Sequence, residues 1–182
     1  TGEFVYHSIS TIPIGDMNAA GLFADIADSA YLKNISMIAP VITASDSGDA
    51  GALFGRSSEN VQIDNCHVYL NVADGDTEGK SEEDIWIGGK YCGGLIGVVA
   101  GGNVVINDSF ASLVIGHEAN DDDTLYYAGG LIGYVASGDV NIARSYADSY
   151  IYGDITGGLI GYSVYSASGA ALHINMSSVY RS

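Results

Sequence analysis

Two short blocks with fixed apolar and polar positions recur along the chain. The first is Gly93-Gly94-Leu95-Ile96-Gly97, repeated as Gly129-Gly130-Leu131-Ile132-Gly133 and as Gly157-Gly158-Leu159-Ile160-Gly161. Looser copies are Gly51-Ala52-Leu53-Phe54-Gly55 and Ala20-Gly21-Leu22-Phe23-Ala24. The residue before the glycine pair is small or a thiol: Ala50, Cys92, Ala128 and Thr156. The second block reads Val61-Gln62-Ile63-Asp64-Asn65-Cys66-His67-Val68, and its copies begin at Val104, Val140 and Leu172. In the first repeat Leu32-Lys33-Asn34-Ile35 keeps the same step, with Ile35 in the place of Cys66.

Period-2 alternation sorts the second block and its continuation into faces. Cys66, Val68, Leu70 and Val72 share one face, matched by Ser109, Ala111, Leu113 and Ile115, by Ser145, Ala147, Ser149 and Ile151, and by Ile35, Met37, Ala39 and Val41. That face is apolar or small in every copy. The opposite face carries His67, Phe110 and Tyr146 at one position and Tyr69, Ser112, Asp148 and Tyr180 at another. Strands of about 5–6 residues are expected. Copies of one strand stack coil on coil, pair backbones with the coils above and below, and bury a continuous inner column. The expectation is an all-β chain: a β-solenoid, or parallel β-helix-like fold, of about five Gly-Gly-Leu-Ile-Gly repeats. Right-handed winding is the default for parallel crossovers. The repeats start near residues 20, 50, 92, 128 and 156, within a single domain over 1–182, and residues 1–19 form a partial coil or cap. Two long acidic stretches, Ala73 to Lys90 and Gly116 to Tyr126, read as loops bulging from the stack. A bare coil end exposes unpaired strand edges, so further repeats or domains of the same polypeptide are expected to cover the ends.

Composition narrows the classes. Apolar residues make up 47% of the 182, enough for a buried core, and 25 glycines with 13 tyrosines suit turns and strands better than helices. The formal net charge is −16, with 22 acids against 6 bases, which argues against a nucleic-acid partner because phosphate contact needs clustered Lys and Arg. No apolar run approaches the roughly 18 residues of a membrane span, so no membrane insertion is expected. Cys66 and Cys92 are too few for a zinc site; buried free thiols are the first reading, with one disulfide as the alternative.

The three Gly-Gly-Leu-Ile-Gly copies resemble the GLUG-motif family, and the resemblance spans about residues 20–182. The family's repeats occur in bacterial surface and secreted proteins, among them adhesin-like proteins and the non-catalytic N-terminal region of some IgA-cleaving metallopeptidases. The resemblance implies an extracellular setting, secreted or attached to the cell surface, and a role in adhesion or substrate docking. It carries over no catalytic residue.

Candidate chemistry is sparse. His117-Glu118-Ala119-Asn120-Asp121 lacks the second His of a zinc-peptidase helix. Asp121, Asp122 and Asp123 could supply hard oxygens to Ca²⁺ but fit no twelve-residue calcium loop; no other cofactor is expected. No serine sits in a nucleophile elbow. The candidate ligand surface is an aromatic strip of His67, Tyr69, Phe110, Tyr146, Tyr150, Tyr152 and Tyr180. Rigid tyrosines give contact area at low entropic cost; the competing reading is a ladder that only stabilises the sheet. Tyr134 and Tyr162 read as corner packing. The expected function is a non-catalytic adhesion or spacer module that binds a host or bacterial surface protein or a glycan. The alternatives are the substrate-docking region of a secreted bacterial peptidase and a carbohydrate-active β-helix enzyme.

Overall fold

The computed structural model describes residues 12–13, 18–38, 40–69, 86–116, 125–164 and 171–180. Every regular element among them is a strand, and the strands form five sheets of five, each paired in parallel from coil to coil. The chain is a β-solenoid of five coils. In the third coil the strands are Trp86–Gly88, Tyr91–Gly93, Ile96–Val99, Asn103–Asn107 and Phe110–Ser112, one in each of sheets A, B, C, D and E in that order. Ala20, Ala50, Cys92, Ala128 and Thr156 lie in one column of sheet B.

The core is a set of apolar columns running along the stack. Leu53, Leu95 and Leu131 are fully buried and are joined to Leu159 by backbone hydrogen bonds, Leu95 N–H to Leu131 O at 2.9 Å and Leu131 N–H to Leu159 O at 2.9 Å. Ile63 and Ile106 pair in register, as do Ile106 and Ile142, and all three are buried. Val68, Ala111 and Ala147 form another inner column. Burying one such Leu or Ile contributes about 1.5–3 kcal/mol.

The glycine block brings sheets B and C together backbone on backbone. A Cβ placed on Gly133 in sheet C would lie 2.6 Å from the Cys92 carbonyl oxygen and 2.7 Å from its nitrogen. Gly55, Gly97 and Gly161 meet Ala20, Ala50 and Ala128 in the same way. From the other side, Gly93 meets Ile96 of its own coil and Gly133 of the next. Each strand of sheet B therefore nests between two successive strands of sheet C. Sheets separated by side chains pack at about 10 Å; this contact has no room for a side chain.

The corner between sheets D and E is built differently. Asn34, Asn65, Asp108, Arg144 and Met176 occupy equivalent positions in successive coils, all with φ between 48° and 58°. Asn and Asp tolerate this left-handed region; for Arg or Met it costs about 1–2 kcal/mol. Arg144 is held there by a two-pronged ion pair with Asp108, at 2.7 Å on both arms. The bend is followed by a hydroxyl ladder. Ser109 Oγ accepts from Cys66 N–H at 3.0 Å and donates to Asn107 O at 2.7 Å. Ser145 Oγ accepts from Ser109 N–H at 3.2 Å and donates to Ala143 O at 2.9 Å, and Ser177 serves Ser145 and Asn175 likewise. Backbone amides that the bend removes from the sheet ladder are thus satisfied by a serine hydroxyl of the third, fourth and fifth coils, buried at Ser109 and Ser145.

Several expectations are corrected. The strands have 2–5 residues, because the left-handed bend divides the second block into a strand of sheet D and a strand of sheet E. A second corner at Leu113 and Ser149 separates sheet E from sheet A, and there Ser149 Oγ accepts from Leu113 N–H at 3.3 Å. The partners of Ile115 across the stack are Ile87 and, beyond it, Ile42, in place of Val72 and Val41. The loop expected to run to Lys90 ends earlier, since Trp86–Gly88 is the sheet A strand of the third coil. Cys66 and Cys92 are buried and free, as first read.

Two substitutions test this account. Gly133→Ala forces a methyl against the Cys92 backbone, and a loss of about 1–3 kcal/mol or more is expected in urea unfolding; the milder outcome should be Gly158→Ala, where the neighbour is the Val179 side chain in the last coil. Ser145→Ala leaves the buried Ser109 N–H without its acceptor and should cost about 1–3 kcal/mol. A neutral result for Gly133→Ala would remove the close sheet B–C contact from the account.

Candidate functional site

Two aromatic columns run along the stack. The first is on the outer face of sheet E, where His67, Phe110, Tyr146 and Ser178 follow one another in register. The His67 and Phe110 rings stack at 4.4 Å and the Phe110 and Tyr146 rings at 4.8 Å with 7° between planes. These separations match the strand spacing of about 4.7–4.9 Å, so the register itself stacks the rings. Tyr69 leans on Phe110 at 5.9 Å, and Tyr180 meets Tyr146 edge-on at 5.6 Å. Five of the seven residues expected in the strip therefore come together. Tyr150 and Tyr152 do not join them: they lie across the Ser149 corner on sheet A, in register with Val114 and Gly116.

The second column is a finding of the structure. Tyr91 and Tyr127 stand on sheet B, two residues before their glycine pairs, and stack at 5.2 Å. Tyr134 and Tyr162 follow the last glycine of their blocks on sheet C and stack at 5.8 Å. The two pairs meet: Tyr91 lies 4.7 Å from Tyr134, and Tyr127 lies 5.7 Å from Tyr134 and 5.6 Å from Tyr162. Lys90 Nζ is 5.6 Å from the centre of the Tyr91 ring, within cation–π range. Tyr134 and Tyr162 thus belong to a four-tyrosine rim. The sequence signal was the recurrence of Tyr at fixed offsets on both sides of the Gly-Gly-Leu-Ile-Gly block.

In the second coil the same rim positions hold an ion pair. Asp49 is in register with Tyr91, Arg56 with Val98, and Arg56 Nε donates to Asp49 Oδ2 at 2.7 Å. Asp49 is fully buried, and burial lifts its carboxyl to about 6 even though Arg56 pulls the other way. Burial, with the neighbouring phenols, also raises the Tyr91 and Tyr134 hydroxyls, so they remain protonated donors.

The carboxylates on sheet D and its corner are engaged in the scaffold. Asp64 accepts from Tyr31 Oη at 2.9 Å, Gln62 Nε2 at 2.9 Å and Asn107 Nδ2 at 3.0 Å. Partial desolvation opposes ionisation there, but those donors hold its carboxyl below the usual range. Arg144 does the same for Asp108. Burial raises the Cys66 and Cys92 thiols, which disfavours the nucleophilic thiolate. Among the described residues, no three His, Cys, Asp or Glu side chains converge as a metal site would require. Asp121, Asp122 and Asp123, together with His117, lie outside the described residues. No helix among the described residues is long and apolar enough to cross a membrane. Comparison of the chain with protein-family models, with curated proteins and with solved structures finds no match.

The Asp49 shift has a sign. A carboxyl raised from 3.8 to about 6 by folding contributes stability that is fully present below 3.8 and lost as pH rises through about 6. Thermal melts should therefore show the fold gaining stability on acidification across that window. Asp49→Asn, neutral throughout, should flatten the gain; an unchanged pH slope would exclude Asp49 as its source.

Proposed function

We propose that the chain is a non-catalytic adhesion or spacer module of a secreted or cell-surface protein, and that its four-tyrosine rim docks a protein partner. The observation that carries this reading is the packing of the rings. A sugar stacks its C–H edges on an open aromatic face, where the negative charge of the π-system lies. Within the sheet E column the register spends the ring faces on one another, at 4.4 and 4.8 Å. At the rim, Tyr91 covers Tyr127 and Tyr134 covers Tyr162. What these columns present is ring edges and phenol hydroxyls on a rigid frame, which suit the mixed polar and apolar surface of a protein. The resemblance to adhesin-type repeats supports the extracellular setting, and the raised, protonated tyrosine hydroxyls support a role as donors to a partner's backbone carbonyls.

Beads coated with the chain, applied to cultured epithelial cells, test the reading. Adhesion should be lost after mild protease treatment of the cells and survive glycosidase treatment. Tyr91→Ala with Tyr127→Ala should weaken it, since loss of a central aromatic contact costs about 2 kcal/mol, roughly thirtyfold in affinity. Loss of adhesion after glycosidase treatment alone would replace the protein partner with a glycan. Turnover of a polysaccharide or peptide by the purified chain would overturn the non-catalytic reading.

A further inference from the structure

We infer, resting on the docking role proposed above, that Arg56 extends the tyrosine rim into the second coil as a carboxylate-binding site and takes an acidic side chain of the docked protein. Arg56 follows the last glycine of its block on sheet C, and Asp49 lies in register with Tyr91 on sheet B, so the pair stands one coil along from that ring. Arg56 Nε donates to Asp49 Oδ2 at 2.7 Å. The two side chains differ in exposure, 1% for Asp49 and 42% for Arg56. The buried carboxylate thus grips the guanidinium at Nε and fixes its position on the rim. Among the described residues, no carboxylate lies within ion-pair distance of the Arg56 terminal nitrogens.

Arg144 is bound differently. Its Nε and Nη2 both donate to Asp108 at 2.7 Å, so one whole edge of that guanidinium is spent within the chain. At Arg56 the edge formed by the two terminal nitrogens remains, and its parallel N–H donors match the two oxygens of a carboxylate. Because Asp49 already holds the side chain, little rotamer freedom is left to lose when a carboxylate binds. Lys90 adds a second positive charge. Its backbone N–H donates to Gly48 O at 2.8 Å, next to Asp49, and its Nζ lies 5.6 Å from the centre of the Tyr91 ring. Lys90 also has no ion-pair partner among the described residues. Two of the chain's 6 bases therefore stand at one part of the rim, in a protein of net charge −16. The opposing charge is Asp25, in register with Arg56 on sheet C. That carboxylate and the net charge repel a dianion such as phosphate more than a single carboxylate, which favours an Asp or Glu side chain as the occupant.

Titration of the isotope-labelled chain at neutral pH, followed through the Arg56 Nε–H signal, tests the site. The probes are acetyl-Gly-Glu-Gly-amide, the same peptide with Gln in place of Glu, and N-acetylneuraminic acid. The Glu peptide should shift the Arg56 signal saturably and leave that of Arg144 in place, and the Gln peptide should shift neither. Asp25→Asn should tighten the Glu peptide by removing the competing charge. Arg56→Gln combined with Asp49→Asn leaves no buried charge unpaired, and circular dichroism checks that the strands persist. Binding of this double variant to the epithelial cells should weaken about tenfold, the loss of one charge-assisted contact. No shift with the Glu peptide, an equal shift with the Gln peptide, or a shift with N-acetylneuraminic acid alone would overturn the inference. Full cell binding by the double variant would also overturn it; if the chain with Tyr91→Ala and Tyr127→Ala is still defective, the docking role stands without the carboxylate contact.

Discussion

Sheets B and C touch through glycine, and much of the architecture is organised around that contact. With Gly55, Gly97, Gly133 and Gly161 laid on the backbone of the preceding coil, no side chain fits between the two sheets. This is why the residue before each glycine pair is Ala, Cys or Thr: it belongs to the strand on which the next coil's glycine rests. The contact also sets the surface. Drawing the two sheets together brings the residue two before the pair beside the residue after the last glycine, and so creates the rim where Tyr91, Tyr127, Tyr134 and Tyr162 meet. A wider sheet separation would part those rings, so one backbone constraint serves both core and candidate site.

At the corner between sheets D and E the chain turns without glycine, and the difference lies in how polar groups are satisfied. The left-handed residue between sheets D and E takes backbone amides out of the ladder, and a serine hydroxyl in the next coil, buried at Ser109 and Ser145, answers them. The hydroxyl must sit inside the corner, where water does not reach, so its contribution is that of a buried hydrogen bond whose loss strands a donor. Cys66 occupies the same position and directs its sulfur toward the Asp64 carbonyl at 3.5 Å, a weaker contact. Asn65 and Asn34 add an amide contact on the outside of the bend at 2.7 Å.

The columns of the core were legible in the sequence because stacking places equivalent residues of a repeat against one another. Aligning the copies therefore amounts to reading the register, and the His67, Phe110 and Tyr146 column followed directly. The corners were not legible. Asn34, Asn65, Asp108, Arg144 and Met176 share a conformation that Asn and Asp favour and Arg and Met do not, so the turn signal fades in the last two coils. At Leu113 and Ser149 the side chains remain in the interior through the corner, so the period-2 pattern continues unbroken and two strands read as one. That continuity also made Tyr150 and Tyr152 look like part of the sheet E strip. The slip between Val41 and Ile42 has a simpler cause: the first connection from sheet E to sheet A holds one more residue between Met37 and Ile42 than the later one holds between Ala111 and Ile115.

A scaffold whose shape comes from glycine, small residues and an inner apolar column leaves its outer positions free to change chemistry from coil to coil. The rim shows this within one molecule. Across sheet B, one position holds Ala19, Asp49, Tyr91, Tyr127 and Ile155, and the backbone register is kept throughout. Asp49 is the costly member of its pair with the part-exposed Arg56, because burial desolvates its carboxylate, whereas the tyrosines stack apolar ring against apolar ring. Replacing the ion pair by rings in the third to fifth coils changes the rim from a charge pair into a cluster of stacked phenols. The strands beneath do not have to move for this to happen, since what they pack against lies on their inner side. On the proposed docking role, the outer residues offered to a partner follow one another along the stack axis, coil by coil.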